Sequence, residues 1–272
     1  MLGISFVIRT LNEIEYLPLL IENIRESEII ADIVVVDSES NDGTYEYASL
    51  QSDINLIKIQ KENFSFGGAI NLGVSKTRFQ NVCIISAHCI PLRPNWILAM
   101  KITLDEDKNT VAVFCRQIAW KHTNYMEKVE YHCSYKKYST TVLFSNACSL
   151  IKKDILIKHP FDPELISNED EVWAKQILNL GLQIKYLGSE AVFHSHDENF
   201  NNAYNRFRRE RIISEVNKSS NYSLKDELKW SFSLLYMRIF KETYSNFNAG
   251  FLRDLKYILI RILVIIKMKI KK

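Results

Sequence analysis

The chain has 272 residues, 47% of them apolar and 25% charged, the balance of a globular protein with a sizeable core and room for an appendage. A net charge of +3 argues against nucleic acid as a partner, but between Phe251 and Lys272 seven Lys/Arg face one acid, Asp254. A near-neutral body with a basic, apolar tail points instead to an anionic surface.

In chain order, short β-branched runs at 4–8, 33–36, 56–59, 82–85 and 111–114 alternate with helical patterns over 15–25, 44–50, 69–76 and 96–104. Unbroken apolar runs of this length suit strands covered on both faces. The alternation implies an α/β fold with a mostly parallel, doubly wound sheet, whose ligands bind beyond the carboxyl ends of the strands. Thr10, Asn12 and Glu13 follow the first strand, Asp37 and Ser38 the second, and Ser86, Ala87 and His88 the fourth. An aromatic stretch (120–138) leads to an apolar segment at 148–151, a helix from about Glu169, and strand-like runs at 184–187 and 191–193. Only helical signal follows Asn199, so the chain divides near residue 215 into an α/β domain (1–215) and a helical extension (216–272). Five cysteines, Cys83, Cys89, Cys115, Cys133 and Cys148, are odd in number and form no CxxC pair, which fits a reducing cytosolic compartment. No basic, apolar leader precedes the first strand, so no signal peptide is expected.

Three blocks, VIRTLNE (7–13), VVVDSESNDGT (34–44) and NEDEVWAKQI (168–177), stand in the order and spacing of family 2 glycosyltransferases, which the chain resembles over residues 4–215. The resemblance implies a GT-A-like fold and inverting transfer of a sugar from a nucleoside diphosphate-sugar to a glycan or lipid-linked glycan, as in surface polysaccharide synthesis. It implies a divalent metal, Mn2+ or Mg2+. It places nucleotide contacts at Thr10, Asn12, Glu13, Asp37, Ser38, Asn71, Ser86 and Ala87, with Asp37 on the base. Asp170, second acid of the Glu169-Asp170 pair, corresponds to the residue that deprotonates the acceptor hydroxyl. Two alternatives remain: a non-catalytic nucleotide-sugar-binding subunit, suggested by the atypical Ser86-Ala87-His88, and a nucleotidyltransferase, against which the glycine-free RTLNEIE argues.

The residues themselves carry part of this. Asp37 ends a buried strand and needs donors, either from a ligand or from the turn through Ser40, Asn41 and Gly43. Gly67 and Gly68 allow close approach of a ligand to the backbone of the 64–73 loop. His88 stands where the family carries a metal-binding carboxylate; the other reading is a histidine that closes the strand by bonding backbone. His194 and His196, two apart in an extended segment, point to the same side and are further metal ligands. Asn168 reads as an N-cap, and the helix dipole is expected to lower the pKa of Asp170 in the first turn. Glu169, Trp173, Arg208 and Arg211 are acceptor or phosphate contacts, with Trp173 equally a core residue and the arginines equally a solvated face. In the tail, Leu255, Ile258, Leu259, Ile262 and Ile266 form one helical face opposite Arg253, Lys256, Lys267 and Lys271. That face fits either an in-plane helix on an anionic membrane or a helix docked on protein, and self-association is left open. A peripheral position on the cytosolic face of the membrane follows from the first option.

Overall fold

The computed structural model describes residues 2–120, 144–196, 200–216 and 247–270, with Lys225, Leu228, Lys229 and Phe232. All but Trp120 of the aromatic stretch, and the last two lysines of the tail, lie outside the described residues. Two compact units are present, Met1–Ile118 with Cys133–His194, and Ala119–His132 with Ser195–Lys272.

In the first unit the alternating pattern becomes β1 (Gly3–Thr10), α1 (Leu17–Glu26), β2 (Ile30–Asp37), α2 (Thr44–Ser49), β3 (Ile54–Lys58), α3 (Phe66–Ser75), β4 (Asn81–Ser86), β5 (Ile90–Pro91), α4 (Trp96–Asp105), β6 (Thr110–Ile118), β7 (Cys148–Lys152), α5 (Lys153–Lys158), α6 (Glu169–Asn179) and β8 (Gln183–Phe193). The eight strands run in the order β3-β2-β1-β4-β7-β6-β8-β5. β1, β2, β3 and β4 are parallel, as are β6 and β8. β7 runs antiparallel between β4 and β6, and β5 antiparallel to β8. The apolar segment at 148–151 is the strand β7, and strand direction leaves no trace in hydrophobic pattern.

The sheet is covered on both faces, which explains its apolar strands. Ile4, Phe6, Ile8, Ile33 and Val35 face Leu17, Leu20, Trp96 and Met100 on one side. Val7, Val82 and Ile84 face Ile70, Trp173 and Ile177 on the other. α3 lies so close to the sheet that a Cβ on Gly73 would stand 2.4 Å from Val7 Cγ1. A Cβ on Gly67 would stand 2.7 Å from the carbonyl oxygen of Asp162. Gly67 therefore admits the neighbouring 161–162 backbone, where a ligand was expected.

In the second unit, α7 (Phe200–Val216) and α8 (Phe247–Ile270) pack through Ala203 and Phe207 against Tyr257, Ile258, Ile260 and Val264. The tail is thus a helix docked on its own chain through Ile258. Leu259 and Ile266 remain 56% and 37% exposed. No helix among the described residues is long and apolar enough to cross a membrane.

Candidate active site

Past the carboxyl ends of β1 and β2, two loops are tied together. Asn12 and Glu39 hold left-handed backbone (φ 58° and 61°), an uncommon state for residues other than glycine. The Asn12 N–H donates to Ser40 Oγ (2.8 Å), and Asn12 Oδ1 accepts from the Asn41 N–H (2.8 Å). The Glu13 N–H donates to Thr44 Oγ1, and the Ile14 N–H to Asp42 Oδ2. Burial alone would push the Asp42 carboxyl up, but donors from Thr44 and Ile14 outweigh it and hold the group below its usual range. Asp37 is fully buried, and both of its oxygens accept from Ser40, from the N–H at 3.0 Å and from Oγ at 2.5 Å. The carboxylate thus closes its own turn, and any ligand contact uses the remaining lone pairs. Thr10 pairs with Asp37 on the neighbouring strand, and its Oγ1 is buried without a hydrogen-bond partner among the described residues. The Ser38 N–H donates to the Thr10 carbonyl.

Beyond β4, His88 reaches toward β8 and β1. Its Nδ1 is 2.7 Å from Glu13 Oε1, and its Nε2 is 3.1 Å from Nε2 of His194. The two rings are stacked, 10° from parallel. His194 Nδ1 is 2.6 Å from Gln117 Oε1. A carboxylate and an amide oxygen only accept, so each Nδ1 carries the proton, and in the neutral rings two Nε2 lone pairs face each other. Such an arrangement repels unless a proton or a cation sits between the nitrogens. Two nitrogens sharing one cation through bonds of about 2.1 Å lie roughly 3.0–3.4 Å apart, so the imidazole pair fits a divalent metal. Glu13 and Gln117 then act as the outer partners that fix ring orientation. Ser86 and Ala87 lead into His88; the Ser86 N–H donates to the Ala147 carbonyl and the Ala87 N–H to that of Arg9. His196 belongs to the second unit, where its carbonyl accepts from Tyr257 Oη.

Asp170 lies in the first turn of α6, preceded by Asn168 in left-handed backbone (φ 57°) without a side-chain cap. The Asn146 N–H donates to Asp170 Oδ2 (3.2 Å) and the Glu171 N–H to Oδ1 (2.9 Å). Contrary to the expected dipole effect, burial and then the charge of Glu169 push the Asp170 carboxyl up to about 7, against those two donors. Glu169, itself buried, lies 3.9 Å from Arg9 Nη1, and the Arg9 guanidinium lies over the Phe66 ring.

The remaining candidates fall elsewhere. The Asn71 side chain clamps the Phe161 backbone, donating to its carbonyl (2.7 Å) and accepting from its N–H (3.1 Å). Trp173 is 1% exposed, stacks on Phe161, and donates its indole N–H to the His159 carbonyl, which makes it a core side chain. Arg208 is exposed and Arg211 half-buried on α7, in the second unit. Pattern reasoning passed over Arg9, Gln117 and Asn146. Only Arg9 left a signal, a cation inside an apolar strand.

A model of glycosyl transferase family 2 matches residues 5–159. The O-antigen chain rhamnosyltransferase RfbN of Salmonella typhimurium is 26% identical over 209 residues, 71% of this chain and 67% of that protein. WbaN of Salmonella anatum, an O-antigen chain rhamnosyltransferase, is 24% identical over 61% of this chain; the match spans 57% of WbaN's length, less than two thirds. Among solved structures, the mannosyltransferase PcManGT from Pyrobaculum calidifontis, in complex with GDP-Man and Mn2+, superposes with a TM-score of 0.60 at 16% identity, over 94% of this chain and 69% of that one. Residues 1–349 of S. aureus TarS superpose with a TM-score of 0.55 at 13% identity, over 100% and 92%. The shared architecture is the GT-A fold.

The raised Asp170 carboxyl has a consequence for stability. The folded state prefers the protonated form, so Asp170 costs nothing below its unfolded value of 3.8, and the cost grows as pH rises to about 7 and is complete above it. Asp170→Asn removes the charge but can accept from only one of the two backbone N–H groups, so its melting temperature relative to the parent should be higher at pH 8 than near pH 4. Thermal unfolding followed by circular dichroism at both pH values checks this, and a difference between mutant and parent that does not change with pH contradicts it.

Proposed function

The chain belongs to glycosyl transferase family 2, and from that premise we propose that it moves a hexosyl or deoxyhexosyl group, with inversion, from a nucleoside diphosphate-sugar to a glycan or lipid-linked glycan in surface polysaccharide synthesis. The observation that carries the proposal is Asp170, a carboxyl whose proton affinity near neutrality suits a general base at cellular pH. That two curated relatives are O-antigen chain rhamnosyltransferases supports a deoxyhexosyl donor and a surface glycan. GDP-Man and UDP-GlcNAc held by fold neighbours support a nucleoside diphosphate donor.

In the proposed reaction Asp170 takes the proton of the acceptor hydroxyl as its oxygen bonds to the anomeric carbon and the bond to the diphosphate breaks. Backbone N–H groups of Asn146 and Glu171 hold the carboxylate in place for that transfer. The loops around Asn12 and Asp37 receive the nucleotide. His88 and His194 are the proposed ligands of a divalent cation, which when bound would offset charge on the leaving diphosphate. Imidazole favours Mn2+ over Mg2+, and the Mn2+ in PcManGT supports that choice.

The exposed stripe of α8 extends the proposal to location. Leu259 and Ile266 are exposed with Lys267 beside them, while Leu255 and Ile262 on the same line along the helix are half-buried, Ile262 against the α7–α8 core. An anionic membrane surface accepts such a stripe, which would place the enzyme on the cytosolic face.

Asp170→Asn should lower transfer by about 10²–10⁴ and leave Mn2+-dependent binding of nucleoside diphosphates unchanged, whereas His88→Ala and His194→Ala should remove its metal dependence. Calorimetry against UDP, GDP and dTDP, with and without Mn2+, reads the binding, and product formation from the matching nucleotide sugars reads the transfer. Equal turnover by Asp170→Asn and the parent sinks the base, and metal-dependent binding that survives both histidine changes sinks the metal site. For the membrane, the intact protein should sediment with vesicles containing phosphatidylglycerol, and Leu259→Glu should release it. A protein that ignores such vesicles leaves α8 with a structural role alone.

A further inference from the structure

Arg9 is a costly residue where it stands. It occupies the seventh position of β1, whose neighbours Phe6, Val7 and Ile8 are fully buried. Its side chain is 13% exposed, its guanidinium lies 5.2 Å from the centroid of the Phe66 ring, and its Nε is buried without a hydrogen-bond partner among the described residues. An aliphatic side chain would fill the position without desolvating a cation, so Arg9 needs a reason for being there. Its one ion pair among the described residues is with Glu169, at 3.9 Å, and Glu169 is itself 6% exposed. The contact is too long for a good hydrogen bond and works as a fixed positive charge beside a fixed negative one.

We propose that Arg9 is a positioning residue that holds Glu169 ionised and in place beside Asp170, so that Asp170 is the member of the pair that takes up a proton. Adjacent carboxyls in a packed site compete for one proton, and a cation on one of them decides which stays charged. Among the described residues, the charges acting on Asp170 are Glu169 and Glu171 on its own helix, with Arg9 of β1 beside Glu169, while Asn146 contributes a backbone N–H. β8, which packs on α6, sends Lys185 to Glu106 and turns Tyr186 onto Phe114. The upward shift of the Asp170 carboxyl, with Glu169 as its second cause, agrees with this arrangement. Arg9 touches neither donor nor acceptor in this role, and the inference rests on Asp170 being the base.

The test is a carbon-13 titration of aspartate carboxyls in the full chain, with Asp170→Asn identifying the signal, on the parent, Arg9→Met, Arg9→Lys, Glu169→Gln and the double variant Arg9→Met/Glu169→Gln. In Arg9→Met the pair loses the charge that keeps Glu169 ionised and shares its last proton, so the Asp170 signal should split into two steps, one of them below the parent midpoint, and Arg9→Lys should restore much of the single step. Glu169→Gln should lower the midpoint, and Arg9→Met should move it far less in that background. Affinity for UDP, GDP and dTDP should stay within about twofold of the parent in Arg9→Met. An unmoved midpoint with a loss of affinity of about tenfold or more overturns the proposal and makes Arg9 a donor contact. An unmoved midpoint with unchanged affinity overturns it too and leaves Arg9 as packing. If Arg9→Met fails to fold, Arg9→Lys and Glu169→Gln decide: a midpoint unmoved by Glu169→Gln refutes coupling within the pair. A parent midpoint near 4 refutes the base itself, whatever the Arg9 variants do.

Discussion

Two neighbouring carboxyls, Glu169 and Asp170, stand at a packed helix start beyond the sheet edge, where both cannot be ionised without cost. The surrounding residues are arranged about that conflict. Arg9 on β1 offsets Glu169, the backbone N–H groups of Asn146 and Glu171 hold Asp170, and its carboxyl ends near 7. Burial is the first cause of the shift, so the packing around Asp170 has to exclude water for it to hold. That packing comes from the two-sided core, with α3 pressed onto Val7 at Gly73 and α6 anchored through buried Trp173.

Across the same sheet edge, a second conflict is set up between two imidazole nitrogens 3.1 Å apart. Glu13 and Gln117 take the outer nitrogens and leave two lone pairs facing each other, which a divalent cation would relieve. Where the family carries a carboxylate, the proposed ligands of this chain are neutral, so the charge that balances a cation would come from Glu13, one hydrogen bond further out. Softer nitrogen ligands with an anionic outer partner favour manganese over magnesium.

Much of this was legible in the sequence. Five strands, four of them buried and β3 half-exposed at the sheet edge, four intervening helices and the acids at the start of α6 followed from apolar runs and from the VIRTLNE, VVVDSESNDGT and NEDEVWAKQI blocks. His88 and His194 could be named, but their contact could not, since it joins residues 106 positions apart through the pairing of β5, just after His88, with the end of β8. The direction of β7 was hidden because antiparallel and parallel strands bury the same residues. The proton affinity of Asp170 was anticipated with the wrong sign: a helix dipole can be read from one position in a helix, whereas desolvation depends on what packs around it. Gly67 and Asn71 looked like ligand residues for a related reason. Both serve the contact with Phe161 and Asp162, about ninety residues away in sequence.

The central claim is that Asp170 carries the acceptor's proton at the moment of transfer. The pH dependence of turnover at saturating nucleotide sugar and Mn2+ tests it most directly. The account predicts an acid limb with a midpoint at about 7, the value to which burial and Glu169 push that carboxyl. A rate that stays level from about pH 5 to 8 would contradict it, because no group with that proton affinity would then be taking part.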